Sequence, residues 1–347
     1  MGGDAEAEKK PIRVMVDPRI ELVSLIFHLA GNPEYGRSRV DGYGEDIETY
    51  FESFKDHAVI RKAKTLRKTR GVSFDAPMSL AVYCTDAKKL EERVPFDKSP
   101  DGLDRRWPLK GAREFLRAAR EFAKESRFQE FIAAHQPLYE TAESRMKALL
   151  AEEAHPEWFG KFFGTRTQAS FTVVLGMQNG GSCYGPHCRL PDGKEELYCI
   201  LGVWETDSEG MPVFNAGMLG TVVHEFCHSY ANPIIEQHTK ELQAAGAKIF
   251  PQVASAMKRQ AYGNWQTMMY ESLVRACTAR YIRCYQGEEP YQTAIRYERN
   301  NSFLWIEGLS GLLGEYEGQR DIYPTLDVFV PRIVAFFDEY AKEQKAP

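Results

Sequence analysis

The 347-residue chain contains no apolar run of the roughly 18 residues that a membrane-spanning helix needs. Its opening, MGGDAEAEKKP, lacks the apolar core of a signal peptide, and Glu6 stands where a myristoylation signal requires Ser or Thr. We predict a flexible tail over residues 1–11 and no membrane span. Removal of an export signal would leave the same kind of opening, so the sequence leaves the compartment open.

The chain also lacks an excess of positive charge, since its formal net charge is −5 at pH 7. This balance argues against nucleic acid or an anionic membrane surface as the main partner. The one basic segment, RKAKTLRKTR at 61–70, distributes its charges around a predicted helix, which is typical of a solvated surface. We therefore expect neither a nucleic-acid partner nor a membrane partner.

The seven cysteines form no C-x-x-C pair, and an odd number is poorly suited to a disulfide framework. Cys227 and Cys277 lie in apolar helical stretches, where a free thiol behaves as a small hydrophobic group. Cys183 and Cys188 stand five residues apart in a Gly-rich loop. Whether these two form a disulfide is left open by the sequence.

The hydrophobic pattern predicts an α+β fold that is predominantly helical. Residues 12–165 are predicted to be mainly helical after one short strand, and residues 166–347 to form a region of strands and helices. That region begins with strands within 169–205, continues with a helix at 216–231 that ends before Pro233, and includes a helix at 264–285. Helices are further predicted at 45–56, 57–69, 77–90, 110–125, 128–153, 234–247, 251–260, 301–317 and 327–343. We expect one compact unit with an α+β lobe followed by a helical lobe.

The segment TVVHEFCHSY at 221–230 places two histidines four residues apart, with a glutamate directly after the first. Positions i and i+4 share one face of a helix, so His224 and His228 can direct two imidazole nitrogens at one ion. Glu225 is then placed to accept a proton from water at that ion. The apolar residues before the motif indicate a buried helix, and burying these polar groups without partners is costly. We predict one Zn²⁺ here, with a metal-free buried helix as the alternative.

A catalytic zinc site needs a third protein ligand and one open position. The metzincin pattern would place Gly and His shortly after the motif, but Ala231 and Ile234 stand there. A glutamate from a following helix is the other arrangement, and the candidates are Glu236, His238, Glu241 and Glu271. The first three follow the predicted helix end too closely, whereas Glu271 stands in the mostly apolar stretch NWQTMMYESLVRACTARYI. We predict Glu271 as the ligand; a simple i,i+4 pair with Arg275 is the alternative, and Arg275 could also orient a ligating carboxylate.

A hydrolase also needs a donor for the oxyanion that develops on the substrate, usually Tyr, His or Arg. Tyr184, in the Gly-rich loop before the motif, is the first candidate for this catalytic role. The competing candidates are His187, Tyr316, Arg320 and Tyr323. The preceding stretch SFTVVLGMQ is predicted to be an edge strand that could hold an extended substrate by backbone pairing, with Gly180 and Gly181 allowing close approach.

The segment VVHEFCHSYANP, followed by YESLVRACTARYI, resembles the gluzincin-type zinc metallopeptidases. More narrowly, the chain is similar to an uncharacterised bacterial family of predicted exported peptidases, a domain of unknown function. This likeness includes DPRIELVSLIFHLAG, the GGSCYG loop and LLGEYEGQRDIYPTLDVFVPRI. The resemblance implies a zincin-like two-lobed unit with zinc at His224, His228 and Glu271, Glu225 as general base, and export from the cell.

Taken together, these patterns predict a zinc metallopeptidase that hydrolyses peptide bonds in a peptide or protein substrate. We expect it to be secreted or periplasmic, with the cytoplasm as the alternative. Two other functions stay open: a zinc amidohydrolase acting on a non-peptide amide, and a non-catalytic metal-binding protein that keeps the fold. The presence of Glu225 argues against the second, because a purely structural metal needs no base beside it.

Overall fold

The computed structural model describes residues 11–166 and 168–343, and these form the predominantly helical α+β fold that the sequence predicted. The predicted tail at 1–11 lies, except for Pro11, outside the described residues. The helices are α1 (Pro18–Leu29), α2 (Tyr43–Tyr50), α3 (Ala58–Arg70), α4 (Asp75–Val82), α5 (Leu109–Glu125), α6 (Phe128–Ala134), α7 (Gln136–Glu153), α8 (Glu157–Phe163), α9 (Leu219–Gln237), α10 (Thr239–Arg259), α11 (Trp265–Tyr285), α12 (Glu288–Asn300), α13 (Ile306–Gly318) and α14 (Leu326–Glu343). The strands are β1 (Arg13–Met15), β2 (Ala169–Gly176), β3 (Cys183–Tyr184), β4 (His187–Arg189), β5 (Glu195–Gly202), β6 (Glu205–Thr206) and β7 (Pro212–Val213).

The chain divides into two compact units. The sheet unit comprises residues 11–154 and 168–225, and it contains α1–α7 and all seven strands. The helical unit comprises the described residues of 155–167 and 226–347, and it contains α8 and α10–α14. Residues 219–225 of α9 are counted with the sheet unit and the rest of α9 with the helical unit. Among the described residues, each unit consists of two separate segments of the chain, whereas each of the predicted regions 12–165 and 166–347 is one continuous segment.

The main sheet of the sheet unit has the strand order β1-β2-β5-β3, and β4 also pairs with β5. Strands β1, β2 and β5 are parallel, while β3 and β4 run antiparallel to β5. The prediction that SFTVVLGMQ forms an edge strand was therefore wrong, because β2 is paired on both sides. Its continuous apolar run is typical of a central parallel strand that is buried on both faces.

The seven cysteines are all free. Cys183 pairs with Leu201 of β5, and Cys188 pairs with Glu196 of the same strand. These positions on β5 are five residues apart, which corresponds to roughly 16 Å along a strand. A disulfide tolerates a Cα separation of at most about 7 Å, so this pairing is excluded.

Helix α9 continues through Pro233 to Gln237, so the predicted end of the motif helix at 231 was wrong. Proline inside a helix removes one hydrogen bond to the carbonyl four residues earlier. That carbonyl belongs to Ser229, and Arg166 Nη1 donates to it instead at 3.1 Å. The same guanidinium lies 4.1 Å from the ring centre of Tyr230. A side chain from outside the helix thus replaces the bond that the proline removes.

The other helices differ from prediction mainly at their ends. Helix α11 agrees with the predicted 264–285 within one residue, and Asn264 caps it by accepting a hydrogen bond from Thr267 N at 2.8 Å. Helix α10 is continuous through Pro251, and the predicted helix at 128–153 is divided into α6 and α7. Helix α12 was not predicted. The helices in the described part of the chain are too short or too polar to pass through a bilayer.

Candidate metal centre

Helices α9 and α11 bring together the three residues that were predicted as metal ligands. His224 and His228 lie one turn apart on α9, and Glu271 lies on α11. One potential ligand atom of each residue falls within 4.8 Å of those of the other two. Two imidazole nitrogens and a carboxylate oxygen are the donor set of a catalytic zinc site with three protein ligands. The structure therefore supports a group of residues that could hold a metal ion.

The imidazole of His228 is oriented by its own helix. Its Nδ1 lies 3.2 Å from Oδ1 of Asn232, which is one turn further along α9. A carbonyl oxygen can only accept, so this contact fits the tautomer that carries its proton on Nδ1, in which Nε2 is the nitrogen that can bind a metal ion. Ligating histidines commonly make such a bond through the second ring nitrogen.

The distance between two of the candidate ligand atoms provides a test of fit. His228 Nε2 lies 3.5 Å from Oε1 of Glu271. This is longer than the usual N–H···O hydrogen bond of about 2.7–3.2 Å. It is close to the roughly 3.3–3.5 Å that separates two ligands of a tetrahedral zinc ion with bonds of about 2.0–2.2 Å. The spacing of these two atoms is thus compatible with both binding one metal ion such as zinc.

Glu271 is only 7% exposed, although it is an acidic residue on a mostly apolar helix. Its Oε2 lies 3.3 Å from Nη2 of Arg275, one turn later on α11. The Arg275 side chain also contacts Glu298 of α12 at 2.5 Å and the hydroxyl of Tyr262 at 2.9 Å, and its guanidinium lies 4.6 Å from the ring centre of Phe303. The pair of Glu271 and Arg275 is therefore part of a larger buried cluster.

The pKa values in this cluster follow from burial and from the neighbouring charges. Burial lowers the pKa of Arg275, but Glu271, Tyr262 and Glu298 outweigh this effect, so the pKa is raised and the guanidinium stays charged. The pKa of the Tyr262 hydroxyl is raised by burial and by the Glu271 carboxylate. Tyr262 and Glu298 were not predicted as site residues, because neither belongs to a recognisable motif.

Aromatic contacts of α8 fix the part of α9 that follows the motif. The Tyr230 ring is stacked on Phe163 at 4.7 Å between ring centres and on Phe159 at 5.6 Å. Phe226 meets Phe159 edge-on at 5.9 Å. Because both Phe226 and Tyr230 flank His228 in sequence, these contacts limit rotation of the helix about its axis and so hold the histidine in place.

The predicted general base, Glu225, is 7% exposed and lies in the sheet unit against the Gly-rich loop. A Cβ atom added to Gly185 would come within 2.3 Å of the Glu225 carbonyl oxygen and 3.1 Å of its Oε2. Burial, with the Glu225 carboxylate as a further cause, raises the pKa of Cys183 in the same loop to about 12. The loop residues next to Tyr184 thus lie directly beside Glu225.

Tyr184, the first candidate for the oxyanion donor, lies on β3 opposite Ile200 and is buried. Its ring centre is 6.1 Å from that of Tyr35. Burial raises the pKa of the Tyr184 hydroxyl, so it keeps its proton at neutral pH, as a donor must. The role of Tyr184 as the oxyanion donor stays a prediction. In the same loop it is the next residue, Gly185, whose backbone lies beside Glu225.

Two of the competing candidates have other hydrogen bonds. Both the Tyr316 hydroxyl and Arg320 Nη1 donate to the carbonyl oxygen of Phe162, near the end of α8. These bonds favour a structural role for the pair. Tyr323 meets Phe329 edge-on at 4.8 Å. His187 lies on β4, where its backbone and ring lie close to Gly102.

Residues 12–336 match the family that is described as "Domain of unknown function (DUF4932)". The comparisons with curated proteins and with solved structures gave no match. This match confirms the predicted similarity to an uncharacterised family, whereas the relation to gluzincin-type peptidases stays a prediction. Since the match covers most of the 347 residues, the chain belongs to the DUF4932 family of unknown function.

Proposed function

We propose that this chain is a zinc-dependent metallopeptidase of the gluzincin type, built on a zincin-like catalytic unit. The observation that carries the proposal is the group of His224, His228 and Glu271, whose ligand atoms lie within 4.8 Å of one another. These three residues would hold the ion. When bound, zinc supplies a Lewis acid that polarises the substrate carbonyl and lowers the pKa of water towards neutrality.

The protein's own residues supply the remaining parts of the reaction. The Glu225 carboxylate takes a proton from the attacking water and delivers it to the leaving amine, which is general acid–base catalysis by one group. Asn232 orients the ring of His228 through Nδ1. Tyr184, protonated at neutral pH, donates to the oxyanion that develops on the substrate. Peptide or protein is the substrate class that the resemblance to metallopeptidases supports.

Export from the cytoplasm is part of the same proposal and rests on the resemblance. The state of four buried cysteines is compatible with it. Burial raises the pKa of Cys188, Cys199, Cys227 and Cys277, which keeps these thiols in the unreactive protonated form. Free thiols of this kind resist oxidation in an oxidising compartment.

The proposal is tested by metal analysis and by cleavage of a peptide library. We expect the purified wild type to contain one zinc ion per chain and Glu271→Ala to lose it. Glu236→Ala is the matched control, because Glu236 is an exposed glutamate on α9, the helix that carries the two histidines. Glu225→Gln should bind zinc and cleave far more slowly than the wild type.

Each part of the proposal can fail separately. Full zinc affinity in Glu271→Ala would show that the third ligand is wrong. Equal cleavage by the wild type and Glu225→Gln would show that the peptidase assignment is wrong. Hydrolysis of small amides without peptide cleavage would indicate the amidohydrolase alternative, and stoichiometric zinc without any hydrolysis would indicate a metal-binding protein.

A further inference from the structure

The carboxylate of Glu271 belongs to a buried ion cluster, which we define as Glu271, Arg275 and Glu298. Arg275 lies between the two carboxylates, with Nη2 at 3.3 Å from Glu271 Oε2 and Nη1 at 2.5 Å from Glu298 Oε2. The exposed fractions of the three side chains are 9%, 11% and 15% in the order given. Water therefore screens these charges much less than it screens a surface ion pair.

The composition of the ion cluster leaves one negative charge in excess. One guanidinium is shared by two carboxylates, so it cannot neutralise both. If Glu298 were absent, Arg275 would pair with Glu271 alone and compete with a cation for the charge of the ligand. Burial disfavours the charged form of Glu298 and therefore raises its pKa, although Arg275 opposes this effect. A carboxylate that costs free energy to bury, on a helix without a motif, calls for a reason other than stability.

We propose that Glu298 is a positioning residue of the metal centre. By binding Nη1 of Arg275, it takes up the charge of the guanidinium and holds Nη2 against Oε2 of Glu271. Oε1 of Glu271 is then left facing His228 Nε2, with the negative charge that a divalent cation requires. This inference rests on the metal site of the proposed function, and it assigns to α12 a role in setting the affinity of that site.

A purely structural salt bridge between α11 and α12 is the competing explanation. The chain offers a matched control for it, because Arg280, also on α11, pairs with Glu317 of α13. The exposed fractions of these two side chains are 12% and 28%, so this pair is also largely buried. Arg280 stands five positions beyond Arg275 on α11, and Glu317 accepts its hydrogen bonds from Arg280 rather than from Arg275.

The experiment measures the zinc affinity of the full chain by competition with a chromophoric chelator, and the melting temperature of the metal-free protein. We expect Glu298→Gln to weaken zinc binding by about 10- to 100-fold, the range for residues that orient a ligand. The melting temperature of the metal-free protein should not fall, because Arg275 keeps Glu271 as its partner and a costly buried charge is gone. Glu317→Gln should bind zinc within about twofold of the wild type.

Zinc affinity of Glu298→Gln within about twofold of the wild type would overturn the proposal, as would an equal loss in Glu317→Gln. If Glu298→Gln does not fold, Glu298→Asp decides, because it keeps the charge on a shorter side chain and should retain most of the affinity. A large loss of affinity in Glu298→Asp, with folding intact, would refute the charge argument. A wild type that binds no zinc would instead overturn the metal site itself.

Discussion

Gly185 is the position at which a single methyl group should disturb the candidate site most directly. Its backbone passes so close to α9 that a Cβ atom would lie 2.3 Å from the carbonyl oxygen of Glu225 and 3.0 Å from the carbonyl carbon. Both atoms belong to a helix backbone, which cannot move aside as the end of a flexible side chain can. Gly185→Ala therefore forces either the loop or the motif helix to shift.

The size of the shift follows from the contact distance. A carbon and an oxygen atom that are not bonded approach to about 3.2 Å, so roughly 1 Å of displacement is needed to accommodate the methyl group. Overpacking of this kind typically costs about 1–3 kcal/mol, and the melting temperature should fall by several degrees. Because a misplacement of about 1 Å can reduce a rate about 100-fold, we expect kcat/KM for peptide cleavage to fall on that scale.

Gly181→Ala is the matched control in the same loop. A Cβ atom on Gly181 would have no atom of the described residues within 4 Å apart from its own chain neighbours, and the φ of Gly181 lies outside the left-handed region. Alanine should be neutral there, or stabilise the fold by about 0.4–1 kcal/mol, because it restricts the unfolded chain. Thermal unfolding and cleavage assays on both variants check this. Equal melting temperatures and equal rates for the two variants would refute the close approach of Gly185 to Glu225.

Three further predictions concern other parts of the chain. Asn232→Ala should weaken zinc binding about 10-fold in a chelator competition assay, because His228 loses the acceptor for Nδ1, and unchanged affinity would contradict this. Phe74 has φ 55° and ψ −117°, a backbone conformation that normally requires glycine. In urea unfolding, Phe74→Gly should therefore be more stable than Phe74→Ala by about 1–2 kcal/mol, and the opposite order would refute backbone strain at this residue. After denaturation without a reducing agent, Cys183 and Cys188 should both be alkylated, which mass spectrometry measures. If neither thiol is alkylated until a reducing agent is added, the two form a disulfide and the sheet register is wrong.

The secondary structure was predictable where the pattern was local and strong. The apolar run at 169–176 predicted a strand close to β2, and the helix predicted at 264–285 agrees with α11 within one residue. The position of β2 within the sheet was not predictable in the same way, because pairing on both sides depends on strands that are distant in sequence. The continuation of α9 past Pro233 depends on Arg166, and no local rule could indicate that this side chain would bond to the Ser229 carbonyl.

The candidate site shows the same division between local and distant information. The two histidines and Glu225 follow from helical spacing, and Glu271 follows from the physical cost of a carboxylate on an apolar helix. The surrounding residues carry no such signal. Glu298 stands on a helix, α12, that was not predicted, and Tyr262 precedes α11 without any motif. Their place near Glu271 is visible only in the structure, where Arg275 contacts both.

Metal ligands and the residues that adjust the charge of a ligand meet different physical requirements. A ligand must face the ion, so its type and spacing are restricted by the geometry of one helix face. A residue that adjusts the charge of a ligand acts through another side chain, and it can come from any element that packs nearby. In this chain the distance of Glu298 from Glu271 in sequence is therefore no measure of its influence. What identifies it is a charge that burial disfavours, placed against an arginine that also contacts a candidate metal ligand.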